Sequence, residues 1–342
     1  MKKILALLLV LAIGVVGFSA CTPSGGETES GPLEKTTVRL AGMTGPTSMG
    51  MVKMLHDNDA DATANDYEFS IYKQGGEILP LLAQGKLDLA AVPSNLAATY
   101  YNNSSGSIQI LAVNTLGVLY LLEKGEKGVT SLEDLRGKTI YAAGKGAVPE
   151  HAFRYLLMQN GIDPETDVTI NWCAGDSAAT EVQTALLNGT CDVALLPQPA
   201  ATVAINAGAQ NGATVRIAVD VQEEWAKLET GFPIVTGVLI GRRAFIEENP
   251  EAVAAFLAEY EASINYVADP TNAENASRWI EQYGILGKAA IAKSALPYCD
   301  IEFLSGTEMK NAVSAFINLL YTANPQSVGG QLPDDGIYYV EG

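Results

Sequence analysis

From Thr37 onward, short apolar runs alternate with amphipathic stretches. Thr37 to Met43 reads as a strand, and Gly45-Pro46-Thr47-Ser48 opens a helix that runs through Leu55. Tyr67 to Lys73 is a second strand, with Phe69, Ile71 and Lys73 alternating against Glu68, Ser70 and Tyr72. Gly75-Gly76 breaks it, and Glu77 to Gln84 is helical. Leu87 to Val92 is apolar except for Asp88, the pattern of a parallel strand buried on both faces. A helix at Asn95 to Tyr101 and a strand at Ile108 to Asn114 complete the unit. The order then recurs. Strand Thr139 to Ala143 leads through Gly144-Lys145-Gly146 into a helix that ends at Asn160, with Gly161 as its cap. Strand Val168 to Cys173, helix Ala178 to Leu187, strand Cys191 to Leu196, helix Ala200 to Ala207 and strand Val215 to Val219 follow. Strands alternating with helices predict parallel sheets and an α/β fold.

The two units share residues as well as order. Residues 77–101 align with 181–205 without gaps, at a constant offset of 104. Glu77 falls on Glu181, Leu82 on Leu186, Gly85 on Gly189, Asp88 on Asp192, Ala90 on Ala194 and Pro93 on Pro197. Each side reads helix, Gly, two residues, Asp, apolar strand, Pro. The Gly suits a helix C′ position that needs positive φ, and the Pro ends a strand where no ladder donor is wanted. This register points to an internal duplication. The last third adds a strand at Ile234 to Arg242. A long helix then starts at Asn249-Pro250-Glu251, with Pro at its first turn, and reaches about Val267. Further helices are expected at Ala273 to Tyr283, Lys288 to Ala295 and Thr307 to Leu320, as cladding for one lobe.

Composition narrows the function. The chain has 342 residues and a formal net charge of -18, a field that excludes nucleic acid as a partner. At the N-terminus, Lys2 and Lys3 precede an apolar run from Ile4 to Phe18. That run is shorter than the roughly 20 residues needed to cross a bilayer, and its shape is that of an export leader. Phe18-Ser19-Ala20-Cys21 resembles a bacterial lipobox, in which Cys21 would carry the lipid; Phe18 stands where Leu is commoner. An ordinary cleaved leader is the alternative. Residues 1–21 are thus the expected leader and anchor, and 22–35, rich in Ser, Gly, Thr and Glu, a flexible tether. Cys173, Cys191 and Cys299 are odd in number and form no CxxC pair, so they are expected as small buried residues, with no metal cluster.

Several motifs carry a family resemblance. Ser131-Leu132-Glu133-Asp134-Leu135-Arg136-Gly137-Lys138-Thr139-Ile140, the turn and helix from Gly144 to Asn160 with its exit through Gly161-Ile162-Asp163, and Phe245-Ile246-Glu247-Glu248-Asn249-Pro250 are similar to segments of type II periplasmic binding proteins of ABC importers. Within that class the chain resembles the sulfonate, taurine, nitrate and thiamine-precursor binding group. The resemblance implies two doubly wound α/β lobes around a cleft, residues 36–115 with 235–342 and residues 116–234, joined by two crossing strands. It also implies a monomer without cofactor. Its partners would be a small ligand, the permease with its ATPase, and a membrane reached through the lipid anchor.

In open α/β sheets, ligands sit beyond the C-terminal ends of the strands. The first lobe offers Thr44, Gly45, Pro46, Thr47, Gln74, Gly75, Ser94, Asn95, Asn114 and Thr115. The second offers Lys145, Gly146, Ala147, Val148, Gly175, Asp176 and Gln198, and the return strand adds Thr236. Helix starts at Gly45-Pro46-Thr47 and Lys145-Gly146-Ala147 could hold a sulfonate or carboxylate on backbone N–H groups. Trp172 is a core residue or a stacking surface.

Enzyme readings fare poorly. His56 and His151 are expected on helix surfaces and fit no catalytic motif. Gly144-Lys145-Gly146-Ala147-Val148-Pro149 imitates a dinucleotide fingerprint, but Pro149 replaces its third glycine and the next strand ends in Trp172-Cys173. A Rossmann dehydrogenase is therefore the weaker alternative. A thiamine-pyrimidine binder or a sensing module on the same scaffold also fits.

Overall fold

The computed structural model describes residues 35–125, 128–175 and 177–340. The expected leader, Cys21, nearly all of the tether and Asp176 lie outside the described residues.

The first half builds β1 (Thr37–Met43), α1 (Pro46–Met49), α2 (Val52–Asp59), β2 (Asp66–Tyr72), α3 (Gly75–Ala83), β3 (Leu89–Pro93), α4 (Ser94–Asn103) and β4 (Ile108–Thr115). Next come β5 (Leu119–Lys124), β6 (Thr139–Ala143), α5 (Val148–Gln159), β7 (Thr169–Cys173) and α6 (Ala178–Asn188). They are followed by β8 (Val193–Pro197), α7 (Ala200–Gln210), β9 (Val215–Asp220) and α8 (Val221–Ala226). The chain then forms β10 (Gly237–Arg242), α9 (Arg243–Glu248), α10 (Pro250–Ala268), α11 (Ala273–Gln282), α12 (Ala289–Ala295), β11 (Leu304–Ser305) and α13 (Gly306–Ala323).

Two mixed sheets result, ordered β11-β4-β10-β3-β1-β2 and β7-β6-β8-β5-β9. Their shared plan is explicit. β1, β2 and β3 pair in parallel as β6, β7 and β8 do, and each sheet takes in an antiparallel strand beside its central one: β10 in the first, which also carries the short antiparallel β11 at its edge, and β5 in the second. Each sheet with its helices is called a lobe below.

The period-2 alternation of the central strands explains why both faces are covered. In β3, Leu89 and Ala91 pack with α2, α10 and α11 through Met54, Phe256 and Ile280, whereas Ala90 and Val92 pack beneath α3, α4 and α13 through Ile78, Ala97 and Phe316. In β8, Val193 and Leu195 meet Phe153 of α5 and Trp225 of α8, whereas Ala194 and Leu196 meet Val182 of α6 and Ala201 of α7. Each fully buried large aliphatic side chain contributes about 1.5–3 kcal/mol.

The duplicated residues perform the same task twice. The Asp88 carboxylate accepts from Arg39 N at 3.1 Å and the Asp192 carboxylate from Thr139 N at 3.1 Å, fastening the start of the central strand to the first strand of its lobe. Gly85 and Gly189 have φ of 65° and 74° at the ends of α3 and α6, as the sequence requires. The Ser131–Lys138 motif is likewise structural. Asp134 accepts from the backbone N–H groups of Thr130 and Ser131, and Arg136 ties Glu133, Asp167 and the Gly161 carbonyl together.

β5, α8, α9 and β11 are additions to the expected elements, and one expected helix is interrupted. The helix through Leu55 is broken into α1 and α2. Ser263 of α10 donates its hydroxyl to Gly50 O at 2.6 Å and accepts from Met54 N at 3.0 Å, taking both partners of a bond that would continue the helix.

Candidate functional site

Strand direction brings the site together. β3 and β4 both run antiparallel to β10, so the C-terminal ends of β1 to β4 and the start of β10 share one edge of the first sheet. By the same logic the C-terminal ends of β6 to β9 and the start of β5 share one edge of the second. Only residues 116–118 separate β4 from β5, so the two edges lie against one another at this crossover.

Hydrogen bonds fix the floor. The residue after each duplicated proline grips the chain where it crosses: Ser94 N donates to Thr236 O at 3.0 Å, and Gln198 N to Val118 O at 2.9 Å. The Ser94 hydroxyl adds a bond to Val235 O at 2.6 Å, and Thr236 N donates to Thr115 O at 3.1 Å. Gly237 lets Asn114 and Thr47 close in. A Cβ there would stand 2.4 Å from Asn114 Oδ1 and 2.6 Å from Thr47 Cγ2. Thr47, Ser94, Asn114, Thr115 and Thr236 are therefore brought together in the first lobe, and Gln198 is tied to the crossover through Val118.

Two amides on this floor are half satisfied. Asn114 Oδ1 accepts from the Thr115 hydroxyl at 3.0 Å; its Nδ2 neighbours the buried Tyr260 hydroxyl but makes no hydrogen bond of good geometry, and the residue is 1 % exposed. Gln198 Oε1 accepts from the Thr202 hydroxyl at 2.8 Å, but its Nε2 has no acceptor, and the residue is 2 % exposed. The buried Ser48 hydroxyl is also unpartnered. An unmet buried donor costs about 1–3 kcal/mol, so such groups in a native fold call for an explanation.

Other expected residues are already occupied or turned elsewhere. Thr44 and Gly45 donate their backbone N–H groups to Tyr72 O and Ile285 O, and Pro46 starts α1. Gln74 caps α3 with Glu77, while Gly75 packs against Leu96. The Asn95 amide reaches Ser327 O at 3.4 Å. At the start of α5, Gly146 N donates to Glu150 Oε2 at 2.8 Å and Ala147 N to Gly144 O at 3.2 Å, so these two N–H groups are spoken for. Gly144, at φ 101°, makes room for the Pro149 ring, which explains the imitation of a nucleotide loop in purely steric terms. Val148 is buried, Lys145 is exposed, and Gly175 lies just beyond β7, the outer strand of its sheet.

Sequence reasoning missed the acidic side of the crossover. Asp300 accepts from Leu116 N at 2.9 Å through its carbonyl and from Gly117 N at 3.1 Å through its carboxylate. Burial, with Glu302 and Asp220 adding repulsion, pushes its carboxyl up to about 6. Burial also raises Asp220, although it caps α8 by accepting from Gln222 N and Glu223 N. The Tyr120 hydroxyl donates to Tyr298 O at 2.9 Å beside them. No periodicity announces Asp300, because it sits in the loop between α12 and β11.

His151 is a correction. It was expected on a helix surface, but it is 8 % exposed, because α13 and the segment around Phe232 stand beside α5. His56 stacks on Trp279 with ring centroids 4.3 Å apart. Cys191 and Cys299 are buried as expected, whereas Cys173 is half-buried. Trp172 is half-buried, with the Arg154 guanidinium 5.9 Å from its ring centroid.

Two lobes that exchange a strand and turn their polar strand ends toward one crossover have the architecture of the periplasmic substrate-binding components of ABC importers. The family model described as "ABC transporter, phosphonate, periplasmic substrate-binding protein" matches residues 57–295, and the chain belongs to that family. Solved structures share the fold. An ABC transporter protein from Parabacteroides distasonis is 23% identical, with a TM-score of 0.72 over 90% of this chain and 100% of that one. The periplasmic aliphatic sulphonate binding protein of Escherichia coli is 16% identical, with a TM-score of 0.66 over 87% of this chain and 96% of its own. The periplasmic nitrate-binding protein of Synechocystis is 14% identical, with a TM-score of 0.57 over 86% and 84%. No curated protein matches the sequence.

Proposed function

We propose that this chain is the lipid-anchored, ligand-capturing component of an ABC importer, and that it binds a small organic oxyanion between its lobes and hands it unaltered to the permease. Residues 36–115 with 235–342 form one moving body and 116–234 the other, hinged at residues 116–118 and 233–236. The observation that carries the reading is the pair of unsatisfied buried amides, Asn114 Nδ2 from one lobe and Gln198 Nε2 from the other. Both are donors, and a phosphonate, sulfonate or carboxylate supplies acceptors. Thr47, Ser94, Thr115 and Thr236 complete a neutral polar wall on the first lobe's side.

Asp220 and Asp300 favour a refinement. Neither has an ion-pair partner among the described residues, so a ligand with a cationic amine beside its acidic group matches both sides of the crossover. Calorimetric titration with an alkylphosphonate and with the same molecule bearing a terminal amine tests this. Saturable binding of both, tighter for the amine, is expected. Failure of either compound, or of the matching sulfonates, to bind would overturn the oxyanion assignment.

A further inference from the structure

A cavity of about 620 Å³ lies between α5 and α13 and shares no residue with the strand-end loops. Its volume is within the range of about 300–1,000 Å³ typical of small-molecule sites. One wall is a face of α5 at helical spacing: His151, Arg154, Tyr155 and Met158. The other is a face of α13 at the same spacing: Ala315, Asn318, Leu319 and Thr322, with Phe232 also lining the space. α5 and Phe232 belong to one of the proposed bodies and α13 to the other. α5 packs on β6, α13 packs on β4 and α4, and Phe232 leads into the returning crossover.

The wall carries no open charge. Arg154 is the cation in it, and Glu150 and Glu165 both pair with that side chain. What remains unmet is His151. The residue is 8 % exposed and its Nε2 has no hydrogen-bond partner. Burial lowers its proton affinity, with Arg154 acting in the same direction against Glu150, so the imidazole is neutral at pH 7. The cavity that His151 lines is otherwise walled by Tyr155, Leu319, Phe232 and the exposed Met158, an apolar and adaptable lining.

We propose that this groove is a second small-molecule site, which takes an uncharged ring compound whose single hydrogen-bonding group meets His151 Nε2. An occupant touches both lobes and the segment that hinges them, so it shifts the balance between open and closed forms by its differential contact with each. The site stands independently of what the cleft holds.

Indole is a suitable probe, because it is neutral, planar and carries one N–H donor. In a ¹⁵N NMR titration, amides of α5 and α13 are expected to shift and saturate, with half-saturation near or below about 1 mM. Thr322→Trp fills the groove from an exposed position and should weaken binding at least about tenfold; Ala315→Trp serves if that variant melts early. His151→Phe keeps a ring but removes the nitrogen, and should weaken binding by roughly three- to tenfold. The proposal is overturned by shifts that never saturate, by both Trp variants titrating like wild type, or by shifts centred on Asn114 and Gln198.

Discussion

Asp300 shows how one buried carboxyl ties pH to this fold. Its carboxyl is pushed up to about 6, against about 4 in an unfolded chain. Below pH 4 both states hold the proton and the group costs nothing. As pH rises from 4 through 6, the unfolded chain loses its proton first, so wild-type stability falls across that window and stays lowered above it. Asp300→Asn keeps an acceptor for Gly117 N and removes the charge beside Asp220 and Glu302. At pH 7.5 the variant should be more stable than wild type by roughly 1–3 kcal/mol, and the gain should vanish near pH 4. Urea titrations at the two pH values check this. A gain of equal size at both would remove ionisation as the cause.

At the scale of elements, the two duplicated aspartates are the points of greatest leverage. Asp88 is 1 % exposed and pairs with Arg39 at 2.6 Å and Arg242 at 3.1 Å. Burial alone would raise its proton affinity, but these hydrogen bonds overcome it and hold the carboxyl below its usual range. Asp88→Ala leaves two half-buried guanidinium groups unpaired and should cost about 2–4 kcal/mol. Asp192→Ala loses the equivalent bond to Thr139 N and should also destabilise the fold, by about 1–3 kcal/mol. Equilibrium unfolding of the two variants checks both losses. The duplication, the strands other than β5 and β11, and the C-terminal helices were legible in the sequence because local signals set them: Gly85 and Gly189, Pro93 and Pro197, Pro250, and the apolar period. The break between α1 and α2 was not, since Ser263 imposes it from far along the chain. Nor was the burial of His151, which depends on where α13 comes to rest. The proposed site was legible as a set of strand ends. Which of its N–H groups are open was not, because Glu150 takes Gly146 N only once α5 has formed, and because Asp300 reaches the crossover from a loop without pattern.

In the proposed function the molecule works as two bodies on a tether, with attachment through Cys21. No helix among the described residues is long and apolar enough to cross a membrane. Cys21→Ala should move the protein from the membrane fraction to the fluid outside the cell membrane, because a diacyl anchor holds where a single chain barely does. Equal partitioning of mutant and wild type would remove the anchor. The central claim is that one ligand engages both lobes at once, and replacing each orphan amide in turn tests it most directly. Asn114→Leu and Gln198→Leu are close in volume and delete an unmet buried donor, but each also removes the acceptor of a threonine hydroxyl, so thermal unfolding of each variant is measured before titration. Calorimetric titration of each with the ligand validated on wild type should show affinity at least about tenfold weaker, since each variant removes a bond made only in the complex. Affinity within about twofold of wild type in either variant would contradict the account, because that lobe would then contribute no donor to the ligand.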